Sequence, residues 1–213
     1  MSNRYNSFFP AIFKTIKSAK DTVAEGVDFL AKVATDSEIL DQVPIISTAV
    51  KFLTIRDAFV RHRFERNVVA FLRAVEDADE KAICDLHDQI QSDHDYAIEF
   101  TETVFSILLE GEKPVKSELI GRLIIALSRK EIMKEEFEVL SQLIQSAATP
   151  ALRALPSFII SNEGKSYKNG VGQFPEEPLL YSLGIAYRSG TRFAISSLGE
   201  KLYIYGFGGK IST

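Results

Sequence analysis

Over residues 44–75 apolar side chains recur at intervals of three, four or seven, and a chain carrying that run has to build a helix around it. Ile46, Val50, Leu53, Val60, Phe64, Val68, Phe71 and Val75 fall on one side of a 3.6-residue period. In the first half Ile45, Ala49, Phe52, Ile55 and Phe59 widen the stripe until little polar surface remains. The second half carries Arg61, His62, Arg63 and Arg66 on what is left. One long helix is predicted, deeply packed at its first end and half solvated at its second. Asp57 lies inside the seam, where a lone carboxylate needs a partner, and Arg61 one turn on is the local candidate. Arg61, Arg63 and Arg66 form a candidate basic helix surface, diluted by Glu65 and with no glycine-rich phosphate loop nearby.

From Asp77 the apolar pattern shortens into a run of helices predicted at 79–91, 95–110, 116–128, 134–146 and 150–160. Their apolar faces are led by Ile83/Leu86/Ile90, Val104/Leu108, Leu119/Leu123/Leu127 and Phe137/Leu140/Ile144. Short connections favour antiparallel neighbours, so the expected architecture is an antiparallel helical bundle. Gly111 with Pro114 ends one helix, and Thr149 before Pro150 supplies an N-cap followed by proline at the first helical position. The stretch from Asp95 to Gln145, with ELIGRLIIAL and EEFEVLSQLI, is similar to helical regions of uncharacterised bacterial proteins, a likeness that implies no activity.

Chemistry is hard to place on this bundle. It holds no EF-hand ligand series, no HExxH helix and no paired Glu-x-x-His motifs. Cys84 and His87 stand one helical turn apart beside Asp88, Asp93, His94 and Asp95. The remaining ligands would have to fold back across a turn, so no metal is assigned. Proximity to His87 alone does not make Cys84 a nucleophile, and no catalytic residue and no cofactor are expected.

Ahead of the long helix, residues 8–35 are predicted as an amphipathic helix with Phe9, Ile12, Phe13, Ile16, Val23, Val27 and Leu30 on one face. Ser7 could cap it, and Pro10 suits the first turn. Residues 1–20 contain Arg4, Lys14, Lys17 and Lys20 and no acid, beside the exposed-looking pair Phe8 and Phe9. Three readings stand open for this arm: packing against the protein's own helices, docking into a partner's groove, or lying on an anionic membrane surface. Phe8, Phe9, Phe13, Lys14 and Lys17 are the candidate partner- or membrane-binding residues.

Charge separates the chain into parts. Residues 67–150 carry eight Lys/Arg against seventeen Asp/Glu, whereas residues 151–213 carry seven against four. An acidic middle argues against that part lying on nucleic acid or on anionic lipid. The single cysteine rules out an intramolecular disulfide and favours a reducing compartment, so the cytoplasm is expected. No charge-free run reaches the roughly 18 to 20 apolar residues a membrane-spanning helix needs. The N-terminus lacks a secretory signal.

After Asn162 the composition shifts to Gly, Ser, Asn and Lys, and residues 162–175 read as a loop. A short helix at 177–183 closed by Gly184, two strands joined around Ser189 and Gly190, and a further helix complete the chain. The pattern LLYSLGIAYRSGTRFAISSLGEKL resembles the distal half of a winged-helix domain. In that fold a helix ends in Leu-Gly, a hairpin forms the wing and a Leu-Gly-x-x-Leu helix follows. Its DNA-binding members read the major groove with the helix before the wing and touch phosphate with the wing. Here that helix opens with Glu176 and Glu177 and carries no arginine, while Lys165, Lys168, Arg188 and Arg192 are candidate nucleic-acid contacts on the wing.

The expectation is a mainly α protein: an N-terminal arm (1–35), a helical bundle (36–161) and a winged-helix-like α/β module (162–213). The expected role is non-enzymatic, regulatory or adaptor, through protein contacts or self-association. A DNA-associated regulator and a peripheral membrane effector are the alternatives.

Overall fold

A computed structural model describes residues 2–23, 43–52 and 58–212, and it is mainly helical with one small three-stranded antiparallel sheet near the C-terminus. The chain divides into two compact units, Met1–Phe137 and Glu138–Thr213. The first contains α1 (Ser2–Val23), α2 (Pro44–Phe52), α3 (Ala58–Val75), α4 (Glu80–Gln91), α5 (His94–Glu110) and α6 (Pro114–Ser128). Helix α7 (Lys134–Ser146) begins in the first unit and continues into the second. The second adds α8 (Thr149–Ser161), β1 (Tyr167–Asn169), α9 (Glu177–Ser182), β2 (Ala186–Ser189), β3 (Arg192–Ile195) and α10 (Ser197–Lys201), which runs on into a π-helical turn, Leu202–Gly206.

Residues 44–52 and 58–75 are both helical, while residues 53–57 lie outside the described residues, and with them Asp57. Arg61 pairs with Glu65, at 2.7 Å one turn along the same helix. In α6, Leu119, Ile120, Leu123, Ile124, Ile125, Ala126 and Leu127 are all buried. A helix apolar on most sides has to sit among others, and α6 packs on α3, α4 and α5.

Its tightest partner, α3, runs parallel to it. Arg66 on α3 donates to the Glu112 carbonyl just before α6 begins. A Cβ added at Gly121, halfway along, would meet Phe71, Ala74 and Val75. Arg129 just after α6 donates to the Asp77 carbonyl beyond the end of α3. Positions rise together on both helices. The pair is parallel because α4 and α5 intervene in sequence and return the chain to its starting end.

Gly121 sets how closely α3 and α6 approach, because a Cβ there would lie 2.9 Å from the Cβ of Ala74. Local signals fix the helix ends. Asp79 and Asp93 accept from the N–H groups of Ala82 and Tyr96 and start α4 and α5. Pro114 stands in the first turn of α6. Asn67 is fully buried and donates through Nδ2 to the carbonyls of Leu108 and Gly111, satisfying acceptors that the end of α5 leaves open. The cap of α8 is Ala148 rather than Thr149, and it makes no side-chain bond; Thr149 and Pro150 already lie in the first turn.

Helix α1 belongs to the first unit, where it packs on α2, α3, α4 and α5. It begins at Ser2, so Ser7 and Pro10 are interior instead of terminal. The buried Thr15 hydroxyl accepts from the Ile45 N–H, so α1 supplies the N-terminal cap of α2. The expected boundaries near 35 and 161 are replaced by one between 137 and 138. Apolar contact places α1 inside the first unit, and α8 belongs with the sheet through Phe158 on Phe193. Residues 24–42, the rest of the predicted arm, lie outside the described residues.

Candidate interaction surface

The second unit is built on one face of its sheet. The order is β1-β3-β2, all antiparallel, with Tyr167, Ala194 and Tyr187 in one cross-strand row and Lys168, Phe193 and Arg188 in the next. Alternation places these rows on opposite faces. Phe193 is fully buried and meets Phe158, Phe174 and Tyr181 edge-on, with ring centroids 5.1, 6.0 and 5.7 Å away. Strand β1 lies where the composition predicts only loop. It is three residues long, and its pairing partner β3 lies far along the chain, so little in the local pattern marks it.

Arg188, expected on an exposed wing, is turned to this core face and spent there. Its Nε and Nη2 donate to the two carboxylate oxygens of Glu177, both at 2.8 Å, and Nη1 and Nη2 also donate to the carbonyls of Gly170 and Gly172. Glu177 is only 3% exposed. The paired bonds from Arg188 hold its carboxyl down at about 2, against the pull of burial, and the Phe174 N–H and the Tyr181 hydroxyl reinforce them. A shallow cavity of about 380 Å³ borders this pair, lined largely by the Gly170–Gln173 stretch. An arginine with its fork filled holds the loop and leaves little for a phosphate.

The other three candidate cations differ. Lys165 faces Glu163 at 3.4 Å, and the Lys168 ammonium stands 5.0 Å over the Phe174 ring. Arg192 lies on the opposite, open face, its guanidinium 4.1 Å over the ring of Tyr167. The structure therefore does not gather Lys165, Lys168, Arg188 and Arg192 into one basic patch. The open face carries Tyr167, Tyr187, Asn169, Ser189 and Arg192, all exposed, with Tyr187 at 52%. The hairpin turn is Gly190–Thr191, one residue later than predicted, with Gly190 at φ +59° in the first central position.

In the first unit, Phe8, Phe9 and Phe13 are 3, 7 and 3% exposed, which corrects the expectation of an exposed aromatic pair. Phe8 lies tilted against Phe105 with centroids 4.1 Å apart, and Phe9 and Phe13 enclose the His87 ring at 5.2 and 5.0 Å. Lys14 and Lys17 face solvent. The aromatic side chains are what the unit buries of α1, while the two ammonium groups stay at the surface. Lys17 lies by Cys84, and a bond to that thiol, with Glu80 and Asp88 beyond, raises the ammonium pKa above its usual value.

His87 is turned to these rings and to Asp88, at 3.0 Å. Among the described residues no three His, Cys, Asp or Glu side chains form a metal-binding group. No helix among them is long and apolar enough to cross a membrane. Of the basic cluster on α3, Arg61 and Arg66 are engaged with Glu65 and the Glu112 carbonyl, and the Arg63 Nε is buried. A groove of about 660 Å³ beside α4 and the end of α6 is lined by both signs of charge, including Asp79, Lys81, Asp85, Arg129 and Lys130. Comparison of the chain with protein-family models, with curated proteins and with solved structures found no match.

Proposed function

We propose that the protein is a non-enzymatic regulatory or adaptor protein acting through protein contacts, a cytoplasmic helical bundle carrying a winged-helix-like module. The observation that carries this is the division of labour in the second unit. Its most elaborately bonded cation, Arg188, is used internally, while Tyr167, Leu179, Tyr181 and Tyr187 remain exposed. Tyrosine and arginine are the residues over-represented where proteins hold one another. The strand order, the helix before the hairpin and the Leu198-Gly199 pair support the winged-helix-like reading. A Cβ at Gly199 would fall 2.9 Å from the Ile185 carbonyl oxygen, which gives the Leu-Gly signature a packing reason.

The test is to titrate the full chain with labelled duplex DNA and with anionic vesicles, at low and at high salt. The adaptor reading expects neither to bind. Salt-sensitive binding to duplex that falls when Lys165, Lys168 and Arg192 become alanine would overturn it in favour of a DNA-associated regulator. Flotation with anionic vesicles that depends on Lys14 and Lys17 would favour the membrane effector.

A further inference from the structure

Two surfaces complement each other in charge. The open face of the sheet presents Tyr167, Tyr187, Asn169, Ser189 and Arg192 and no carboxylate. Arg192 has no ion-pair partner among the described residues. Ala194 between the two tyrosines is only 4% exposed, so the contact surface is made by the side chains around it.

Helix α5 offers the counterpart. Asp95, Glu99, Glu102 and Glu110 are exposed, and the helix contains no Lys or Arg. At about 100° per residue the four carboxylates fall within an arc of about 80°, and they span about 22 Å of helix. None has an ion-pair partner among the described residues.

We propose that the chain self-associates head to tail, the open sheet face of one copy receiving the acidic stripe of α5 from a second copy. The helix lies across the tyrosine side chains, and Arg192 and the phenol hydroxyls donate to its carboxylates. The inference rests on the protein-contact reading and names the partner. Because the two surfaces differ, each open assembly keeps one of each unfilled at its ends and grows with concentration. The contact weakens as salt rises, since its charges lie near the surface.

Light scattering on the full chain across a concentration series tests this, with circular dichroism confirming that each variant is folded. The wild-type mass should climb with concentration. Arg192→Ala should weaken association about tenfold or more, and so should Glu99→Gln with Glu102→Gln. Mixing the two defective proteins should give a 1:1 complex that grows no further, because one supplies an intact stripe and the other an intact sheet face. A wild-type chain that stays single at every concentration overturns the proposal and leaves the adaptor reading to the DNA and vesicle titrations. Association undiminished in both variants, or a mixture that forms no pair, overturns the head-to-tail contact while self-association through another surface still supports that reading.

Discussion

The two units solve the same problem at different scales. The helical unit buries a ladder of rings, Phe8 on Phe105, Phe13 on Phe100 and Phe100 on Phe137, beneath the aliphatic rows of α3 and α6. Its hydrogen-bonded polar interior includes helix-terminal work, such as Asn67 at the end of α5 and Thr15 at the start of α2. The C-terminal unit gathers its rings around Phe193 and adds a buried ion pair, Glu177 with Arg188. A small unit buries a smaller share of its surface, and a bonded charge pair fixes one arrangement of a glycine-rich loop where apolar packing is thin. The comparison teaches that the same residue type carries different weight in each place. Arg66 in the first unit ties one loop carbonyl, whereas Arg188 organises a helix, a strand and a loop at once.

The comparison breaks most visibly at the rings. Phe100→Ala and Phe193→Ala should each cost about 3 to 5 kcal/mol, and amide exchange should locate the loss in a different unit for each. If Phe193→Ala loosened α3 and α6 as much as β3, the two cores would not be separate. Next come the close approaches. Gly121→Ala should cost the helical unit about 1 to 3 kcal/mol by forcing α3 and α6 apart, and Gly199→Ala should do the same between α10 and the Ile185 backbone; denaturant midpoints measure both.

A change of similar size is the most specific. Glu177→Gln removes charged hydrogen bonds and should cost the C-terminal unit about 2 kcal/mol at neutral pH. The folded carboxyl pKa is depressed, so this stabilisation is fully present above the ordinary value of 4.5 and is lost as pH falls towards about 2. Wild type and variant should therefore converge in acid, read by the thermal midpoint across that range. The helical unit should show no such convergence.

What the sequence made legible was local. The helices from α4 to α7 follow from apolar spacing, and Asp79 and Asp93 mark their starts by reaching N–H groups three residues on. What stayed hidden depends on partners distant in sequence. Phe8 and Phe9 look exposed until Phe105 and His87 are brought to them. Arg188 looks like a wing cation because Glu177 sits on another element. Strand β1 pairs only through β3, and the open sheet face came into view with it; the alternation of Tyr167 and Asn169 around Lys168 was its one signal.

The parallel pairing of α3 with α6 has a consequence for how the protein is made. The bonds that join this pair link residues 46 and 52 positions apart, and both intervening helices must be synthesised first. At about 5 to 20 residues per second, α3 waits several seconds at the ribosome with its apolar stripe uncovered. During that interval the nascent chain is a substrate for any chaperone that holds apolar helices, and translational pauses between residues 75 and 128 lengthen its exposure.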